Sequence, residues 1–192
     1  MSRLKGIFDT NTQPLYDTVA ISTASLPTVA FFQNPIGAAV GCFGAAGQAK
    51  TKADTNLQLP GQLPKGFAFT LLGFRLAFPW NVVTADLTTI LNGCVFEFSV
   101  AQKSFLTVPA RTIPGGNGPF GTGTSLNNNG YPTLGNVFGI QGDPLIIEDN
   151  MNFNVTLFWS GTAPTITQTG FIPATSMPIT VYMDGKLTRP AQ

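Results

Sequence analysis

From residue 151 to residue 159 the chain alternates strictly. Met151, Phe153, Val155, Leu157 and Trp159 fall on one face, and Asn152, Asn154, Thr156 and Phe158 on the other. Successive side chains of a β-strand point to opposite sides of the pleat, so this period of two predicts a strand with one face in a core. Residues 95–100 repeat the pattern, with Phe96, Phe98 and Val100 on one side and Glu97 and Ser99 on the other. Further apolar or alternating runs lie at 19–21, 28–32, 67–78, 105–108, 137–140, 145–147, 165–167 and 179–183. Gly, Pro, Asn or Asp flank each run, and those residues turn a chain. The pattern predicts an all-β fold of short strands. Asp184-Gly185, between 179–183 and 186–189, reads as a two-residue hairpin turn.

One segment breaks the rhythm. Residues 84–92 (TADLTTILN) predict a short helix, with Thr84 as its cap, Asp86 favouring its first turn and Gly93 ending it in the left-handed conformation. Residues 1–17 read as an irregular N-terminal arm, and 18–192 as a single domain. Within it, 112–142 carries no charge and is rich in Gly, Asn, Pro and Thr. A long loop of that kind tends to be functional or interfacial.

The outward positions of these strands raise a question of solvation. A dispersed protein places Lys, Glu or Arg there; the 151–159 strand places Asn, Thr and a Phe. Charged residues are only 10% of the chain, against about 25% in typical soluble domains. The net charge is +1, with little to keep copies apart. Hydrophobic residues at 43% exclude disorder, which needs low hydrophobicity and high charge. The expectation is that neighbouring protein covers much of the surface.

The composition also narrows the chemistry. No histidine is present, which removes the commonest general base, the commonest metal ligand and every Ser-His or Cys-His arrangement. Carboxylate-pair hydrolysis would have to draw on Asp17, Asp54, Asp86, Glu97, Asp143, Glu148 and Asp149, which no spacing pairs. The expectation is no enzyme, no cofactor and no catalytic metal. Calcium on Asp143, Glu148 and Asp149 is the minor alternative to a plain solubilising role, because their spacing converges on no ion. Gly116-Asn117-Gly118-Pro119-Phe120-Gly121 matches G-x-G-x-x-G, but Pro119 and the glycines after it forbid the helix a dinucleotide site requires. Asn154-Val155-Thr156 matches a glycosylation sequon in mid-strand, with no secretory signal read at the N-terminus. Prolines and glycines interrupt the uncharged span 18–49, so no inserted helix is expected there. Lys and Arg are scattered without a basic stripe, so no sequence-specific nucleic-acid binding is expected. Cys42 and Cys94 allow one disulfide, though two small buried thiols are the plainer reading.

The runs FFQNPIG (31–37), KTKADTNLQLPGQLPKGFAF (50–69) and VFEFSVAQKSFLTVPARTIPGGNG (95–118) resemble structural proteins of bacteriophages. The resemblance is to the small jelly-roll major capsid proteins of tailless icosahedral phages that enclose a lipid membrane, and covers roughly residues 28–160. It implies an eight-stranded jelly-roll β-sandwich that self-assembles into a capsid shell, located in the virion. It further implies partners: other copies of the chain, other capsid or vertex proteins, and an internal membrane. Arg3 and Lys5 of the arm are the residues to meet anionic lipid, unless the arm fills a groove on a neighbouring subunit. The alternative reading is a phage spike or lectin-like sandwich that holds a receptor glycan with Tyr131 or Trp80.

Overall fold

The computed structural model describes residues 8–22, 27–43, 45–113, 119–122, 125–129, 137–140, 142, 144–161, 164–171 and 175–191. Twelve strands are present among them. In chain order these are β1 (Phe8–Thr12), β2 (Leu15–Ser22), β3 (Thr28–Phe31), β4 (Ala68–Ala77), β5 (Cys94–Val100), β6 (Lys103–Pro109), β7 (Pro119–Thr122), β8 (Ser125–Asn129), β9 (Phe138–Gly139), β10 (Leu145–Glu148), β11 (Phe153–Trp159) and β12 (Ser176–Pro190). One helix, α1 (Thr84–Gly93), joins β4 to β5.

Two antiparallel sheets face each other, and their order defines the fold. β1 and β2 lie end to end along one side of β12, whose other side pairs with β4. β9 and β10 lie end to end along the far side of β4. Taking each end-to-end pair as one strand leaves eight, outside the separate β7–β8 ribbon. The first sheet then holds the first, eighth, third and sixth strands, and the second (β3-β11-β5-β6) holds the second, seventh, fourth and fifth. Two Greek keys folded over each other give this order, which is the jelly roll.

The alternation read from the sequence places the core. Phe153, Val155, Leu157 and Trp159 of β11 and Phe96, Phe98 and Val100 of β5 are buried from one sheet. Phe69, Leu71, Phe74 and Leu76 of β4, with Ile179, Val181 and Met183 of β12, are buried from the other. The Phe74 ring joins the layers, its centroid 5.1 Å from that of Phe96 and 5.0 Å from that of Phe98. Each such side chain contributes about 1.5–3 kcal/mol by leaving water. On α1, Leu87, Ile90 and Leu91 fall at helical spacing on one buried face, and the Trp159 Nε1–H donates to the Ile90 carbonyl at 3.3 Å.

Several expectations need correction. Asp184-Gly185 is no turn: β12 runs straight through it for 15 residues. The glycine is there for space, since a Cβ at Gly185 would lie 2.5 Å from the Phe69 ring on β4. Residues 8–17 are not an irregular arm, because β1 and the start of β2 hydrogen-bond to β12, and Leu15 and Asp17 are buried. Thr84 is the first helical residue and not the cap; the cap position is Val83, and the Gln168 Oε1 accepts its N–H at 2.5 Å. Gly93 does not end α1 in a left-handed turn, since the chain passes directly into extended Cys94. Residues 165–167 form no strand, but a strap held against α1. The 112–142 stretch contains β7, β8 and β9 where a continuous loop was expected.

Candidate functional site

For a sandwich of this kind the surfaces that meet a partner are its two outer sheet faces and its edges. On the first sheet, polar side chains pair with each other across strands. Thr18 and Thr180 share a hydroxyl hydrogen bond of 2.8 Å, and the Tyr16 and Tyr182 rings stand 5.9 Å apart. The Arg75 guanidinium lies 4.6 Å from the Tyr182 ring centre and donates twice to Asp184, at 2.6 and 2.8 Å. Those two charges neutralise each other on the face itself. The second sheet carries only two charges on its four strands, Glu97 and Lys103. Around Glu97 its outer face is Thr28, Ala30, Val95, Ser99, Thr107, Asn154, Thr156 and Phe158. Such a face loses little on desolvation, because it holds few groups whose hydration is expensive to remove.

Two β-bulges add apolar points to this surface. The β4–β12 register slips so that Leu72 has no partner, and the β5–β6 register slips so that Phe105 has none. A bulge re-aims a side chain, and here both emerge to solvent, Leu72 at 40% and Phe105 at 45% exposure. Trp80, between β4 and α1, is the most exposed of the large apolar residues described, at 59%.

The residues singled out from the sequence do not converge. Asp143, Tyr131 and Gly116–Gly118 lie outside the described residues. Glu148 is exposed at the end of β10, while the Asp149 carboxylate accepts the Gly66 N–H at 2.5 Å. Asn154 is half-buried on β11 and accepts from the Ser99 hydroxyl at 2.5 Å, so the sequon match is a strand position within a ladder. Asp86 is a buried tether: its carboxylate accepts the backbone N–H groups of Thr167 and Gln168, each at 2.7 Å, and the Thr167 hydroxyl at 2.9 Å. Cys42 and Cys94 are free and buried, and burial pushes their thiols up to about 11 and about 12. No described helix is long and apolar enough to cross a membrane.

The fold assembles one polar cluster that sequence reading missed. The 32–67 excursion between β3 and β4 folds back over β2 and buries Lys50 beside Asp17, with Nζ to Oδ1 at 2.6 Å. The second oxygen of Asp17 accepts the Phe32 N–H at 2.7 Å. Burial raises the Asp17 carboxyl above the usual range, and Lys50 and the Phe32 N–H only partly offset it. Asp54, also buried, accepts N–H groups from Cys42 (2.6 Å), Phe43 (3.0 Å) and Thr51 (2.9 Å). Burial alone would raise its carboxyl; the N–H donors outweigh that and hold it below the usual range. Gly41 makes the approach possible, because a Cβ there would lie 2.8 Å from the Asp54 Oδ2. The cluster is closed to water and satisfied from within, so its chemistry is that of a clasp: it fastens 41–55 onto β2. Thr18 N–H to Asp54 carbonyl (2.8 Å) completes it and seals that edge of the first sheet.

No family model, no curated protein and no solved structure matches this chain.

Proposed function

We propose that this chain is a structural subunit of an icosahedral bacteriophage capsid, which self-assembles through its outer faces. The observation that carries the reading is the pairing of a jelly-roll order with a second sheet whose four strands carry only Glu97 and Lys103 as charges. The cores of protein–protein interfaces are depleted in charge. A subunit with such a face gains by covering it and loses little in desolvation. The resemblance of 31–37, 50–69 and 95–118 to shell proteins of membrane-containing phages supports the same assignment. Other capsid or vertex proteins are natural partners of such a subunit. Contact with an internal membrane, if made by Arg3 and Lys5, falls on residues outside the described set.

The exposed Trp80 favours one competitor, a receptor-binding spike in which an aromatic ring stacks on a glycan. Electron microscopy of the purified protein separates the two. Closed shells or curved sheets of regular spacing are expected at high concentration. A discrete trimer with no tendency to extend would count for the spike and against the shell.

A further inference from the structure

The two lateral edges of the sandwich differ. One is sealed by the 32–67 clasp described above. At the other, β6 ends one sheet and β9 with β10 ends the opposite one, and an open cleft of about 790 Å³ lies between them. Its floor is Phe98, its walls are Phe105 and Leu106 on one side and Phe138, Ile140 and Leu145 on the other. Among the described residues, no lining side chain is polar or charged. The β9 wall is fixed in place: β4 has glycine at position 73, where a Cβ would lie 2.6 Å from Val137 Cγ1 and 2.7 Å from the Phe138 carbonyl. Ligand pockets typically span about 300–1,000 Å³ and are mostly apolar with a few polar groups that orient the guest. This cleft is at the upper part of that range.

Among the described residues, one charge stands beside this lining. The Lys103 ammonium lies 5.0 Å from the centre of the Phe105 ring, and Phe105 is half in solvent and half in the cleft lining. Among the described residues Lys103 forms no ion pair, unlike Lys50 and Arg75. Among the described residues the arrangement is an apolar cleft with a single cation beside it, over the Phe105 ring.

We propose that this cleft binds one long-chain monocarboxylate, the hydrocarbon tail between β6 and β9–β10 and the carboxylate on Lys103. The lining rejects a second polar group along the chain, and a single ammonium matches a single anionic head. The site stands apart from the shell assignment, because it belongs to one subunit and needs no neighbour.

The test is calorimetric titration of the purified protein with decanoate, laurate and myristate below their micelle concentrations, with methyl laurate as the uncharged control. Saturable binding of one molecule per chain is expected, tightening about fourfold per added methylene until the cleft is full. Lys103→Met should weaken laurate by roughly two- to fivefold, as for an exposed ion pair, and leave methyl laurate unchanged. Leu106→Trp, filling the cleft, should abolish both; if that variant fails to fold, Phe105→Ala, at an exposed bulge, should weaken both. Absence of saturable binding, a Lys103→Met response equal for acid and ester, or binding only to vesicles of anionic phospholipid would each overturn the proposal.

Discussion

Single residues in this chain are fixed by neighbours far away in sequence. Lys50 has its whole charge matched by Asp17, 33 residues distant. Removing one partner of a buried pair leaves the other uncompensated, so Lys50→Met should lower stability by about 3–5 kcal/mol in denaturant titration. The double variant Asp17→Leu with Lys50→Met should recover part of that loss, because an apolar pair has no charge to desolvate. Equal stability of Lys50→Met and wild type would mean the clasp is not closed as described. Asp54 gives a pH signature of its own. Its carboxyl is lower in the folded chain than in the unfolded one, so the stability it contributes is present above the unfolded value of about 4 and lost as pH falls through the folded value. Asp54→Asn should therefore be clearly less stable than wild type at neutral pH, with the gap closing under acid. A gap constant from neutral to strongly acid pH would show that the three N–H donors do not act on the carboxylate's charge.

Elements that alternate were legible in the sequence, and those fixed by distant contacts were not. β5 and β11 declare themselves because every second residue is large and apolar, and they sit side by side at the centre of the second sheet. α1 was legible from Thr84, Asp86 and Gly93, although the residue at its cap position is Val83, held by Gln168, which nothing local predicts. Asp184-Gly185 has the composition of a turn, but the Phe69 ring decides its role, and that ring comes from another strand. β1 was hidden because its side chains are mostly exposed and polar, so it carries no hydrophobic period; only its ladder to β12 makes it a strand. The clasp was invisible for the same reason: Asp17, Lys50 and Asp54 look like solvated charges until the 32–67 segment folds over them. Truncation distinguishes the two parts of the N-terminal edge. Deleting residues 2–12 should lower the melting temperature only modestly, since it removes backbone pairing with little burial. Deleting residues 2–22 should abolish cooperative unfolding in circular dichroism, because it takes away Leu15, Asp17 and Ile21 from the core. Native-like melting after the longer deletion would remove β2 from the core sheet.

At the scale of the whole molecule the distribution of charge is the property that needs explaining. The interior spends its charges on Lys50, Asp17, Asp54 and Asp86, all buried. The first sheet pairs Arg75 with Asp184 and exposes Asp9, Glu148, Lys186 and Arg189 along its strands, while the second carries only Glu97 and Lys103 among hydroxyls and amides. With a net charge of +1 there is little long-range repulsion to oppose association. A closed shell needs each subunit to present several contact surfaces at once, and the second sheet's face is the one poorest in charge here. The contacts would depend weakly on salt, because screening acts on charges and few are present. Sedimentation velocity across a wide concentration series, at low and at high salt, tests the central claim most directly. The account predicts growth from subunit to large assemblies as concentration rises, with nearly the same profile at both salt levels. A single monomeric boundary at every concentration would contradict it.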